Sequence, residues 1–210
     1  MKKKIIAAIS AVAVFAVCGV GVYFGDSCDV VIDPGHGGED YGAIYGERNE
    51  KDDNLDLALL VHENLEEMGI DAELTRKNDK KISLEKRCLF ANRKRAELFV
   101  SLHRNSAEGA KGVEIWISDD SPEADKKIAE SILLMLDEVG ISDNRGVKEG
   151  YARGDGNYYV NSHTLMPSCL VELGFINSDT DNDLYDKNIE EYAKAVAFAI
   201  ADNLKTAEAQ

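Results

Sequence analysis

Short apolar segments alternate along this sequence with longer segments of helical periodicity, and that alternation constrains the fold more than any other feature. Leucines at helical spacing stop at Gly69, for example, and residues Ile70 to Thr75 then alternate as a strand does. Strands are predicted at Val30–Asp33, Ile70–Thr75, Leu98–Leu102, Val113–Ile117 and Cys169–Glu172, and helices at Asn54–Met68, Ser83–Glu97, Pro122–Val139 and Ile189–Leu204. Strands separated by helices of this length form a largely parallel sheet that is covered on both faces, so an α/β fold is predicted.

The N-terminus carries a separate apolar segment. Met-Lys-Lys-Lys is followed by an uncharged run from Ile5 to Phe24, which as a helix would cross a hydrocarbon layer of about 30 Å. The run is longer than the apolar part of a typical signal peptide, and a small-x-small cleavage site behind it does not fit well, so residues 1–28 are predicted to be an uncleaved membrane anchor. A cleaved signal peptide, which would leave a secreted protein, is the alternative. The lysines before the run place the N-terminus in the cytoplasm and the rest of the chain outside.

After the anchor, residues 29–210 are predicted to form one domain, because no repeat, low-complexity block or linker divides them. The net charge of the chain is −15, and no segment forms an obvious basic patch. A domain this acidic repels polyanions, so nucleic acid is excluded as a partner.

The four cysteines include no CxxC pair. Cys18 lies in the apolar run and Cys28 at its edge, while Cys88 and Cys169 are predicted to be core positions of a helix and a strand. An oxidising compartment would permit a disulfide between Cys88 and Cys169, but the pattern favours buried free thiols.

Four titratable side chains stand at the ends of predicted elements. His36 and His103 each follow a strand, Glu50 precedes the first helix, and Glu172 ends the last strand. Because functional groups of parallel α/β sheets gather beyond the carboxyl ends of the strands, these side chains are expected to converge at one rim.

Two imidazoles and one carboxylate, with a fourth position left for water, are typical of a catalytic zinc site, and a further carboxylate would carry protons. Simpler interpretations remain for each residue. A single histidine at a strand end is more often structural than a ligand, and Glu50 suits a helix N-terminus. The glycines around His36 would suit a phosphate loop, but the GxxxxGK[ST] pattern is absent.

Three further residues are candidates for a place near this site. His62 lies among leucines of the first helix and is expected to be a surface or packing residue. His163 precedes the last strand, where it would contact substrate or support a ligand, but no spacing pattern requires this and it is not predicted to be a metal ligand. Asp33 would orient a ligand or form the turn before Pro34.

Five sequence blocks in order resemble one known family. They are VIDPGHGG at 31–38, NEKD at 49–52, LTR at 74–76, SLHRN at 101–105 and VELGFIN at 171–177. These blocks are similar to those of the zinc-dependent N-acetylmuramoyl-L-alanine amidases of the amidase 3 family, over about residues 29 to 205. The resemblance implies a sheet of about six strands, one zinc ion held by His36, Glu50 and His103, and Glu172 as the catalytic glutamate. It also implies hydrolysis of the amide bond between N-acetylmuramic acid and L-alanine in peptidoglycan.

One position departs from the family pattern. Arg104 stands where the family usually has a small residue, and it is expected to narrow the groove or to contact an anionic stem peptide. Asn105, the next residue, is also expected to contact substrate. A solvated rim charge is the alternative for Arg104. The region from Val113 to Met166 shows no long autoinhibitory helix, which favours an open site; a protein activator is the alternative, since some family members need one.

Two other functions compete with this interpretation. A cell-wall peptidase would keep the zinc site and cut within the stem peptide, and a silent wall-binding module would need no catalytic residues. The second alternative predicts the loss of a ligand or of Glu172, yet all four positions are filled. The small single domain and N-terminal anchor also resemble amidases that act on cortex peptidoglycan during spore formation, with vegetative wall remodelling as the alternative.

Overall fold

The computed structural model describes residues 27–120 and 122–208. The predicted anchor, including Cys18, lies outside these residues. Among the helices described, none combines the length and the apolar character that a membrane span requires.

Strands and helices alternate along the described chain. The strands are β1 Val30–Pro34, β2 Ile44–Tyr45, β3 Arg48–Asn49, β4 Ala72–Leu74, β5 Leu98–Asn105, β6 Val113–Ile117, β7 Asn144–Glu149 and β8 Ser168–Phe175. The helices are α1 Glu50–Glu67, α2 Leu84–Lys94, α3 Glu123–Val139, α4 Tyr159–His163 and α5 Asp179–Glu208. Strands β2 and β3 form a small antiparallel hairpin in front of α1.

The remaining six strands form one sheet in the order β4-β1-β5-β8-β6-β7. All neighbours in this sheet are parallel except β6 and β8, which are antiparallel. The predicted α/β fold with a largely parallel sheet of about six strands is therefore confirmed. Strand β7 was not predicted, because its half-exposed sequence Asn-Arg-Gly-Val-Lys-Glu has no apolar run.

Helices cover both faces of the sheet, as predicted. The main apolar cluster lies between the sheet and helices α1, α3 and α5, with Leu57, Ile132 and Ile200 fully or almost fully buried. A smaller cluster on the other face packs α2 and α4 against Phe99 and Trp116. Along β5, even-numbered side chains such as Leu102 face the main cluster, and odd-numbered ones such as Phe99 face the smaller cluster.

Three element boundaries differ from the predictions in ways that matter for the site. Helix α1 begins at Glu50 rather than Asn54, since the acidic residues at 50, 52 and 53 suit the positive end of the helix dipole. Strand β5 continues to Asn105, so His103 lies within a strand rather than after one. Helix α5 begins at Asp179, ten residues before the predicted start at Ile189.

The three cysteines of the described residues are free and buried. Cys88 belongs to the smaller cluster and Cys169 to the main one, on opposite faces of the sheet, so they cannot pair without rearrangement. Burial raises the pKa of Cys88 to about 11, which leaves it a poor nucleophile.

Candidate metal centre

The loop after β1 presents His36 at the carboxyl edge of the sheet. His36 has φ of 59°, in the left-handed region that non-glycine residues rarely adopt. Two buried arginines hold the carbonyl groups that this turn leaves unpaired. Arg76 donates to the carbonyl oxygens of Pro34 (3.0 Å) and Gly35 (2.8 Å), and Arg87 donates to those of Pro34 (2.7 Å) and His36 (2.6 Å). Two guanidinium groups therefore hold the main chain of this loop in place.

Asp33 supports this loop through Arg87. Its carboxylate accepts hydrogen bonds from Arg87 (2.6 Å), Thr75 (2.5 Å) and Ser101 (2.8 Å). Burial by itself raises the pKa of Asp33, but the Arg87 charge and these hydrogen bonds outweigh it, so the pKa lies below its usual value. Asp33 therefore acts on the backbone of the loop and does not contact the His36 ring.

The ring of His36 is instead oriented by Asp40, a residue that the sequence analysis missed. Asp40 Oδ1 lies 2.9 Å from His36 Nδ1. A proton on Nδ1 that is donated to this carboxylate leaves Nε2 free to act as a ligand. The spacing of four residues within a glycine-rich loop gave no pattern from which this contact could have been recognised.

Glu50 is the first residue of α1 and the centre of the cluster. Its Oε1 lies 3.2 Å from His36 Nε2 and 2.8 Å from His103 Nδ1, and its Oε2 accepts a hydrogen bond of 2.8 Å from the Ala43 amide. Burial raises the pKa of Glu50, but the hydrogen bonds and charges of both histidines lower it much further, so the group is strongly acidic.

His36, Glu50 and His103 each direct one potential ligand atom to a common point, and these atoms lie within 4.8 Å of one another. The two imidazole rings meet edge to face, with centroids 5.0 Å apart. Two nitrogen donors and one carboxylate oxygen, clustered and only partly exposed, match the donor set of a catalytic zinc site.

Glu172 lies beside this cluster on the next strand. In the register of β5 and β8, Glu172 pairs with His103, so both side chains are on the same face of the sheet. The residue is buried, and its Oε2 has no hydrogen-bond partner within the part of the chain that the structure describes. Burial first, and then the charges of Glu50 and Glu114, raise the pKa of Glu172 well above its usual value.

Glu114 is a second residue that the sequence analysis missed. It pairs with Glu172 across β6 and β8, and its carboxylate accepts hydrogen bonds from Asn105 Nδ2 (2.8 Å), Trp116 Nε1 (3.1 Å) and Arg145 Nε (2.7 Å). A glutamate inside the apolar strand Val-Glu-Ile-Trp-Ile was the pattern that could have revealed it.

An aromatic wall continues from Glu114 toward solvent. The Trp116 and Tyr158 rings lie 5.6 Å apart, and Tyr151 packs edge to face on Tyr158 at 4.9 Å. Burial and the charges of Glu172 and Glu114 raise the pKa of Tyr158, so this phenol stays protonated at neutral pH. The wall gives the glutamate side of the site an apolar boundary.

The expectation that Arg104 contacts substrate is wrong, and so is the alternative of a solvated rim charge. Arg104 is only 2% exposed, and its side chain points to the face of the sheet opposite to His103, where it pairs with Asp53. Strand β5 continues through residue 104, and the alternation of the strand therefore turns this side chain inward.

The remaining candidate residues, Asn105, His62 and His163, do not contribute ligand atoms to the cluster. Asn105 is half-buried and donates to Glu114, so it reaches the site through that carboxylate, and its contact with substrate stays a prediction. His62 lies on α1, 3.6 Å from Glu66, and His163 stacks on the Tyr159 ring with centroids 3.8 Å apart. Neither belongs to the metal-ligand cluster.

Comparison with known proteins gives a consistent picture. A family model described as N-acetylmuramoyl-L-alanine amidase matches residues 30–205. The uncharacterized protein YqiI of Bacillus subtilis is 38% identical over 177 residues, which cover 83% of this chain and 82% of YqiI. The "Probable cell wall amidase LytH" of Staphylococcus aureus is 30% identical over 181 residues, which cover 84% of this chain but 57% of LytH.

Among solved structures, the CwlD amidase from Clostridioides difficile, determined in complex with the GerS lipoprotein, has a similar fold. Its TM-score is 0.77 at 27% identity, covering 86% of this chain and 100% of that chain.

Proposed function

Because this chain belongs to the N-acetylmuramoyl-L-alanine amidase family, we propose that it is a zinc-dependent amidase that hydrolyses the bond between N-acetylmuramic acid and L-alanine in peptidoglycan. One observation carries the proposal: the ligand atoms of His36, Glu50 and His103 converge within 4.8 Å, and Glu172 is the register partner of His103. A metal site with a buried glutamate beside it provides the two groups that metal-assisted amide hydrolysis uses.

His36, Glu50 and His103 would hold one zinc ion per chain. When bound, zinc supplies Lewis acidity, which makes a water molecule more acidic and polarises the scissile carbonyl group. The protein's own contribution is to keep the three donors in place. Asp40 holds the His36 ring, Arg76 and Arg87 hold its loop, and the Ala43 amide holds the second oxygen of Glu50.

Glu172 would act as general base and then as general acid. It takes a proton from the attacking water and delivers that proton to the nitrogen of L-alanine as the carbon–nitrogen bond breaks. Delivery is essential because an amine anion is a very poor leaving group. Burial of Glu172 and the nearby carboxylates of Glu50 and Glu114 raise its pKa, so its carboxylate is a stronger base than that of an exposed glutamate and can hold the proton until the nitrogen of L-alanine takes it.

The test is hydrolysis of intact peptidoglycan by the purified full chain with zinc. New L-alanine amino termini, together with glycan strands and whole stem peptides in the mass spectrum, would support the amidase. Cleavage within the stem peptide would instead indicate the peptidase, and binding without any product would indicate a silent module. A chelated sample tests the metal: product formation should stop with the chelator and return when zinc is added back.

The cellular location is part of the proposal. The uncharged run from Ile5 to Phe24 and the three lysines before it support a membrane anchor with the amidase domain outside the cytoplasm, or a secreted domain if the segment is cleaved. External protease added to intact spheroplasts should digest the domain, while the protein remains in the membrane fraction if the anchor is uncleaved.

The biological setting is proposed more broadly, as cell-wall remodelling or spore cortex maturation. CwlD forms a complex with the GerS lipoprotein, and this supports a protein partner or activator for the present chain as well. Transcript levels through growth and sporulation of the source organism would separate the two settings.

A further inference from the structure

Arg104 is the most deeply buried cation beside the metal centre, and it is unrelated to substrate binding. Its guanidinium group donates to Asp53 Oδ2 (2.6 Å) and Asn182 Oδ1 (2.8 Å) and lies 4.4 Å from the centre of the Tyr185 ring. Asp53 belongs to α1, whereas Asn182 and Tyr185 belong to α5. A single side chain from the sheet thus joins two helices.

The residues joined by this contact are close neighbours of two proposed metal ligands. Arg104 directly follows His103 on β5, and Asp53 lies three residues after Glu50, within the first turn of α1. The main-chain amide of Arg104 also donates to Glu50 Oε1, at 3.3 Å. The ion pair therefore connects the strand that carries one ligand with the first turn of the helix that carries another.

A second arginine completes the arrangement at the surface. Arg48 Nε donates to the same Asp53 oxygen at 2.7 Å, and its two terminal nitrogens donate to Asp186 on α5 at 3.1 and 2.7 Å. Asp53 is consequently held by a buried guanidinium group from the sheet and by a half-buried one from the hairpin. Its position, and with it the first turn of α1, is specified from two directions.

We propose that the buried pair of Arg104 and Asp53 is a positioning device that sets the distance between Glu50 and His103, and hence the affinity of the centre for zinc. This inference rests on the proposed function. Charged pairs in protein interiors gain little net stability over apolar residues, but their hydrogen bonds have a fixed direction and length. An apolar side chain at residue 104 could fill the same volume while leaving α1 free to shift along the sheet.

The experiment measures the zinc dissociation constant of the full chain, purified in detergent, by competition with a chromophoric chelator. Arg104→Met keeps most of the side-chain volume and removes the guanidinium group. We expect this variant to raise the zinc dissociation constant about tenfold or more, as loss of a contact that supports a metal ligand typically does. Arg104→Lys keeps one charge-assisted bond and should be intermediate. Asp53→Asn should resemble Arg104→Met, and the double variant should be no worse than either single variant.

Ile128→Ala is the matched control. Ile128 is 1% exposed and lies on α3, a helix that packs in the main apolar cluster and carries none of the three proposed ligands. Ile128→Ala should lower the melting temperature as Arg104→Met does, yet leave zinc affinity within about twofold of wild type, because the cavity it creates is in a helix that carries no ligand. If Arg104→Met lowered thermal stability but bound zinc as tightly as wild type, the pair would be only structural and the inference overturned. A wild-type chain that bound no zinc would overturn both this inference and the zinc chemistry of the proposed function.

Discussion

His103 on β5 and Glu172 on β8 are register partners on adjacent parallel strands. Glu114 on β6 extends the same row, since it pairs with Glu172 from the other side. The proposed metal ligand and the proposed proton carrier are therefore held by main-chain hydrogen bonds of the sheet rather than by flexible loops. Such a placement keeps the two groups in fixed relation, which is what proton transfer beside a metal centre demands.

Replacing Glu172 with glutamine should remove catalysis and leave the metal bound. The amide has nearly the same shape but cannot accept and release the proton, and loss of a general acid–base group typically costs about 10² to 10⁴ in rate. The measurements are the release of L-alanine amino termini and the zinc content of the purified protein. Glu138→Gln, an exposed position on α3, is the control and should behave as wild type. Near wild-type turnover in Glu172→Gln would remove Glu172 from the mechanism.

A methyl group at Gly35 should displace His103. Gly35 has no positive φ that would strain another residue, but a Cβ atom there would overlap the His103 ring. We expect Gly35→Ala to fold and to lose activity by about 100-fold, a loss that a displacement of about 1 Å at a catalytic site can cause.

The control for this substitution is Gly69→Ala. Gly69 has φ of 78° and open space around it, so an added methyl group strains the backbone without touching the site. It should cost about 1 kcal/mol of stability and little activity. Full activity in Gly35→Ala would show that the His103 ring can move aside without loss.

Removing Asp40 should weaken zinc binding. Its carboxylate fixes the tautomer and orientation of His36, and loss of such a partner typically reduces metal affinity by about 10- to 100-fold. Titration of Asp40→Ala with zinc against a competing chelator measures this. Glu39→Ala removes an adjacent exposed carboxylate that contacts Lys81 instead, and it should leave affinity unchanged. Equal losses in both variants would point to a general effect of negative charge near the site.

Stability should depend on pH through the buried pair of Asp33 and Arg87. The pKa of Asp33 in the folded state is below its usual value of about 3.9, because the Arg87 charge and hydrogen bonds outweigh burial. A lowered folded pKa gives stability that is present above about pH 4 and is lost as the pH falls through the folded value. Asp33→Asn should be destabilised by about 3 to 5 kcal/mol at pH 7, the cost of leaving a buried charge unpaired.

Urea unfolding between pH 7 and pH 3 tests the sign. The difference between wild type and Asp33→Asn should narrow as the pH falls, while the exposed Asp202→Asn should follow wild type throughout. A difference that grew toward low pH would contradict the lowered pKa of Asp33.

Much of the architecture could be predicted because it depends on local periodicity. Apolar runs such as Val113–Ile117 and the leucine spacing before Gly69 reflect which side chains a strand or helix must bury, and these patterns predicted the parallel sheet. Strand β7 was not predicted, because an edge strand with half-exposed residues buries too few side chains to produce an apolar pattern in the sequence.

For the site, the sequence by itself determined the residue types and the sheet edge at which they gather, although His103 and Glu172 lie within strands that continue past them and Glu50 is the first residue of α1 rather than a residue before it. Tertiary structure decided which atoms meet: that Asp40 holds His36, that Glu114 adjoins Glu172, and that Arg104 turns away from the groove. The face of the sheet to which a side chain points depends on whether the strand continues through that residue. The side chains that it contacts depend on how separate strands and helices pack together. Both depend on contacts between residues far apart in the chain, such as Arg104 with Asp53 and Asn182, which local periodicity does not encode.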